Sequence, residues 1–199
     1  MRKCLILILI LALLCPASAW AAEQPRYLAL IFHGCPRNAE ALLSGLEARS
    51  ARCTFFLRQE DASERLPDTG HELGILTAAG PELSRRQIAG ELKSREQAMN
   101  THVRLLQATA GCTDGLRQVA KALGFSFVIP SGNLQVLSPA EDGQILLVDN
   151  QMPVISLLEL VDDLQNRGFI LVTVSELARL RGVSLHPGAT YRSFPPPER

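Results

Sequence analysis

The apolar residues of this chain fall in short runs separated by amphipathic stretches. Tyr27 to Phe32 is nearly continuous and apolar, the pattern of a strand buried on both faces of a parallel sheet. Cys53–Leu57, Leu73–Leu76, Phe125–Ile129, Ile145–Val148 and Phe169–Val172 predict five more strands. Between the strands the period becomes helical. Asn38 can cap a helix whose Ala39, Leu42, Leu43 and Leu46 share one face. Ser84 and Gln87 have the spacing of a capping box. That pair opens a long helix with Ile88, Leu92, Met99, Val103 and Leu106 on one face. Leu116–Leu123 is helical and Gly124 is its stop signal. Ile155–Arg167 closes at Gly168, and Thr173 with Glu176 caps a last helix to about Arg181. Residues 58–71 and 130–143 read as loops. Alternation of strands and helices predicts an α/β protein with a mainly parallel sheet, either open and doubly wound or closed as a barrel.

Both ends of the chain stand outside this pattern. Arg2 and Lys3 precede an unbroken apolar run from Cys4 to Cys15, and small residues follow it. This is the layout of a signal peptide, too short for a membrane span. Ala19-Trp20-Ala21 fits its cleavage site, with Ala17-Ser18-Ala19 as the competing choice, so residues 1–21 are expected to be removed. The protein is then periplasmic or secreted. At the other end, residues 183–199 are Pro-rich and are expected to be loose, so deletion after Pro187 should leave stability unchanged.

Charge and composition narrow the function. Twenty basic residues balance twenty acidic ones, which makes no electrostatic case for nucleic acid. Aromatic residues are 5% of the chain, which counts against a strong sugar-stacking platform. After export, Cys35, Cys53 and Cys112 remain, an odd number in an oxidising compartment. One disulfide and one free thiol are expected. The four histidines, His33, His71, His102 and His186, contain no pair at helix-face spacing, and no C-x-x-C or H-E-x-x-H occurs.

Several segments keep a shared order with one known family. Tyr27–Pro36 is similar to a strand and turn ending T-F-D-D-G-P, and Cys53-Thr54-Phe55-Phe56 to A-T-F-F. Gly70-His71-Glu72-Leu73-Gly74 is similar to G-H-E-[IL]-G, and Leu123-Gly124-Phe125 to L-G-[YF]. Ile145–Asp149 is similar to I-L-L-H-D, and Arg167–Leu177 to a closing G-[YF]-x-[FL]-V-T-[LV]-S-E-L. Over residues 26–182 the chain resembles the NodB-type polysaccharide deacetylases, carbohydrate esterase family four. The resemblance implies a distorted (β/α) barrel. It also implies a divalent metal such as zinc, held by an Asp and two His, that polarises an acetamide and activates water. A second Asp would be the base and a His the acid.

The chemistry does not carry over. The base position falls on His33 and the metal-ligand positions on Gly34, Leu76 and Gly80. The acid position falls on Val148, the third motif near 106–110 is unrecognisable, and Thr77 and Asp149 are kept. Glycine and leucine have no side-chain donor for zinc, so no cofactor is expected. The resemblance gathers His33, His71, Thr77 and Asp149 around the old pocket. It also brings Cys35 and Cys112 to loops at one end of the barrel, so a Cys35–Cys112 disulfide is expected, with Cys53 a buried free thiol. The function expected is that of a deacetylase-like, non-catalytic protein that binds an envelope glycan or a protein of polysaccharide metabolism. The alternative is an active hydrolase removing N- or O-acetyl groups, with a metal or through His33, Cys35 and Asp149. A third reading is a structural partner docking through the Pro-rich tail.

Overall fold

The computed structural model describes residues 24–34, 38–58, 60–63, 70–134 and 139–197. The expected signal peptide and Cys35 lie outside the described residues. Strand β1 (Arg26–His33) is followed by helix α1 (Ala39–Ala48), β2 (Thr54–Leu57) and a 3-10 turn at Glu60–Ser63. Then come β3 (Glu72–Thr77), α2 (Arg85–Met99), β4 (Leu105–Ala108), α3 (Asp114–Leu123) and β5 (Ser126–Val128). The rest is β6 (Gly132–Asn133), β7 (Ile145–Val148), α4 (Val154–Asn166), β8 (Phe169–Val172), α5 (Val174–Leu180) and β9 (Thr190–Tyr191). Among the described residues no helix is long and apolar enough to cross a membrane.

Every strand pairing is parallel, in the order β6-β7-β1-β2-β3-β4-β5-β9, with β8 paired to the first half of β1. Strands β5 and β6 are successive parts of one run of chain, and Ser193 just after β9 bridges Gln144 just before β7, so the sheet curls into a distorted barrel. Of the open sheet and the barrel that the hydrophobic period allows, the chain adopts the barrel.

Alternation along the strands then builds three apolar layers. Ala29, Ile31, Phe56, Leu76, Leu105 and Ile145 point inward and fill the barrel. Their neighbours Leu28, Leu30, Phe32 and Phe55 point outward under α1 and α4. Ile75, Leu106 and Phe127 do the same under α2 and α3. Gly74 matters for the interior: a Cβ there would overlap the Phe56 ring, so glycine lets that ring cross the barrel.

The structure differs from the sequence pattern in three places. The long helix expected from Ser84 ends at Met99, because Asn100 takes a left-handed conformation (φ 47°), and Leu105–Ala108 is a strand. Its buried residues mimic a continued helical stripe. Both halves of the Ser84–Gln87 capping box are present, whereas Asn38 makes no side-chain cap. Thr173 does cap α5 by accepting from the Glu176 N–H.

The C-terminal segment is the third difference. Strand β9 pairs with β5, Ser193 bridges Gln144, and the Phe194 N–H donates to the Gly143 carbonyl at 2.7 Å. Phe194 is 2% exposed inside the barrel and stacks on Tyr191. Gly143 has φ +84°, and a Cβ there would overlap the Phe194 backbone. The expectation of a loose end therefore fails for residues 190–194, which cover the lower end of the barrel.

Candidate binding site at the barrel mouth

In a parallel barrel the strand C-termini and the loops after them form the functional end. Here β1 ends in His33, whose odd position places its side chain inward above the Phe56 layer. A cleft of about 320 Å³ opens there, lined among others by His33, Arg58, Leu147, Asp149 and Asn150. Gln107 enters from β4, one residue beyond the Leu106 that packs outward, and faces His33.

Several buried polar atoms at this end lack partners among the described residues. They are Nε2 of His33, Oε1 of Gln107 and Oδ1 of Asn150. Gln107 is only 6% exposed. Burial pushes the His33 pKa below its ordinary value of 6.5, against the opposing pull of Gln107 and helped by the Arg58 charge. The ring is therefore neutral at pH 7, with one donor and one acceptor nitrogen. The Asn150 amide donates to the His33 carbonyl and fixes the turn after β7 against the end of β1. Asp149 accepts the Gln151 N–H at 2.8 Å.

The structure thus brings together His33 and Asp149, two of the four residues expected around the pocket. The other two lie elsewhere. Thr77 points outward and is buried under α2, where its hydroxyl donates to Glu91 at 3.0 Å and accepts the Ala79 N–H. His71 precedes β3 and sits at the opposite end of the barrel, its Nδ1 accepting the Cys53 N–H at 3.1 Å. The shared G-H-E segment places it at a strand start, far from the strand ends. Cys53 is a buried free thiol, its pKa pushed up to about 12 by burial. Cys112 also carries a free thiol, and its proposed partner Cys35 lies outside the described residues.

Pattern reading missed Arg58, Gln107 and Asn150. Gln107 had a signal: it is the one polar residue in Leu105-Leu106-Gln107-Ala108, and strand alternation points it inward. That signal is lost once the segment is read as helix.

The residues present do not fit the metal that the resemblance implies. Leu76 packs in the apolar interior. Gly34 has φ +83°, and a Cβ on it would lie 3.0 Å from the Asp61 carboxylate. At Gly80 a Cβ would overlap the Glu82 carboxylate. Among the described residues no three His, Cys, Asp or Glu side chains are grouped to hold a metal. The Arg58 guanidinium adds positive charge to the same cleft.

No protein-family model matches the sequence, and no curated protein does. Solved structures do match. The Xyl-CE4 domain of a multidomain xylanase from the hindgut metagenome of Trinervitermes trinervoides is 21% identical, with TM-score 0.73 over 85% of this chain and 98% of that domain. The peptidoglycan deacetylase PdaC of Bacillus subtilis is 19% identical, with TM-score 0.68 over 80% of this chain and 93% of that one. A BA3943 mutant, described as a CE4 family pseudoenzyme with restored enzymatic activity, is 19% identical, with TM-score 0.64 over 77% of this chain and 68% of that one. The barrel order, the inward-facing cleft and these likenesses agree on one architecture: the chain has the fold of the NodB-type polysaccharide deacetylases, carbohydrate esterase family four.

Proposed function

We infer that this chain is an exported, deacetylase-like protein that has lost catalysis and acts by binding an envelope glycan or a protein of polysaccharide metabolism. The observation that carries this reading is the state of the three positions where metal ligands would stand. One is an apolar core residue, Leu76, and the other two are glycines whose side-chain space is bounded by carboxylates, Asp61 at Gly34 and Glu82 at Gly80. The cleft keeps hydrogen-bonding capacity without a metal, from the His33 imidazole and the carboxamides of Gln107 and Asn150. These neutral groups suit the hydroxyl and amide groups of a polar ligand, and Arg58 and Asp149 stand beside them. A pseudoenzyme is also known in this fold.

The test is acetate release from N-acetylated oligosaccharides and O-acetylated xylan by the purified mature protein, alongside its metal content. No release and no bound metal after incubation with Zn²⁺ or Co²⁺ is the expected result. Steady release that needs metal would establish the hydrolase reading instead. Release without metal that disappears in His33→Ala would point to a metal-free esterase.

A further inference from the structure

A second cavity, about 530 Å³ against about 320 Å³ at the mouth, opens at the other end of the barrel. It lies where β3 and β4 begin, beside the first residues of α5. His71, Glu72, Leu73, Met99, Arg104 and Ser175 are among its walls. The volume is in the range of small-molecule sites, roughly 300–1,000 Å³. Nothing in the mouth chemistry uses it.

The hydrogen-bonding capacity left over in this cavity is on the donor side. Glu72 brings the buried carboxyl group, but it is already matched. It accepts the Thr54 hydroxyl at 3.0 Å and the Ser175 N–H at 3.1 Å, and the Ser175 hydroxyl also engages it. His71 accepts a backbone N–H at Nδ1, so its neutral ring carries the proton on Nε2. That Nε2–H is buried and has no acceptor among the described residues. Arg104 arches over Gly124, its Nη1 lying 2.7 Å from where a Cβ would be, and a glycine at φ +88° gives it the room. The Arg104 guanidinium makes no ion pair with a described residue. Leu73 and Met99 supply an apolar wall.

We propose that this basal cavity is a second binding site, for a small organic acid such as a sugar acid, its carboxylate held by Arg104 and its body resting on Leu73 and Met99. An Arg fork is the side chain best matched to a carboxylate. A monosaccharide acid is small enough to enter the cavity.

The probe is D-glucuronate, titrated into ¹⁵N-labelled mature protein, with D-glucose as the twin lacking the carboxylate. Glucuronate should shift the amides of Glu72, Arg104 and Ser175 saturably, and glucose should not. Arg104→Gln should weaken the response at least tenfold at an unchanged thermal midpoint, since Arg104 is exposed. Arg58→Gln, at the mouth, should leave it intact. Equal shifts with glucose, no saturable shift, or full binding by Arg104→Gln would each overturn the proposal. So would loss of binding in Arg58→Gln alone, which would assign the acid to the mouth.

Discussion

The two ends of the barrel differ in how far their polar residues are tied to one another. At the base, side chains are joined to backbone and to one another across three elements. Thr54 of β2 donates to Glu72 of β3 and accepts the Val174 N–H of α5, while Glu72 accepts the Ser175 N–H. Asp142 accepts the Tyr27 N–H and pairs with Arg181. At the mouth, His33, Gln107 and Asn150 each keep a buried atom without a partner among the described residues. An unpartnered buried polar group costs about 1–3 kcal/mol, so the mouth carries a cost that a ligand or ordered water can relieve. Unbonded buried atoms occur at the base as well, Nε2 of His71 and Nε of Arg181 among them. There they stand within a web that ties β2, β3 and α5 together and fixes the fold, whereas at the mouth they line a cleft open to something outside the chain.

The strongest way to break this contrast is to remove what covers the base. Truncation after Pro187 deletes β9 and Phe194. Phe194→Ala alone should cost about 3–5 kcal/mol, as for a buried Phe in a packed core, and the truncation should cost more. Urea denaturation of both variants against the intact chain measures this. A truncated protein of unchanged stability would mean that the segment is an appendage, as the Pro-rich sequence suggests.

A smaller effect compares one side chain from each end. Glu72→Ala should lose about 1–3 kcal/mol by leaving the Thr54 hydroxyl and the Ser175 N–H without their acceptor. Arg58→Ala, exposed at the mouth, should stay within about 0.5 kcal/mol. Glu72 also predicts a pH signature. Burial raises its pKa above the ordinary 4.5, although Ser175, Thr54 and Val174 pull it down. As the pH rises from 4.5 the unfolded chain loses this proton first, so stability falls until the folded-state pKa is passed. Glu72→Gln should abolish that slope. A slope that persists in the variant would assign it to another group.

How much of this was legible depended on which signal each segment carries. The strands at 27–32, 53–57, 73–76, 125–129, 145–148 and 169–172 were readable because buried parallel strands are apolar along their whole length. Strand β4 was hidden because Val103 and Leu106 fall at helical spacing from Met99, and only the left-handed Asn100 ends the helix. Phe194 was hidden by its prolines: Pro195, Pro196 and Pro197 advertise a loose end, while one aromatic residue before them anchors the segment. At the mouth, His33 and Asp149 were legible through the family resemblance, which set them at the ends of two strands. Arg58 and Asn150 were not, because loop residues converge only once the barrel is closed. His71 was misplaced for a related reason: a motif shows that residues belong together, not at which end of a strand they stand.

The finest test asks whether the two ends are electrostatically separate. His33 and His71 both have pKa values below the ordinary 6.5, each mainly through burial. The secondary causes differ. The Arg58 charge lowers His33 and Gln107 raises it, whereas Arg52 lowers His71 and Glu47 raises it. Protonating His71 must also break its bond from the Cys53 N–H. Both rings should titrate below 6.5 in NMR spectra of the folded protein. For each, the unfolded chain takes up the proton first, so its contribution to stability is full above 6.5 and is lost as the pH falls through the folded-state pKa. Arg58→Ala should raise the His33 midpoint and leave His71 where it is, and Arg52→Ala should do the reverse. If either substitution moves both rings, the ends form one coupled network and the division of labour drawn between them fails. If each moves only its own ring, a ligand at the mouth can be bound and released without loosening the bonds that hold the barrel closed below it.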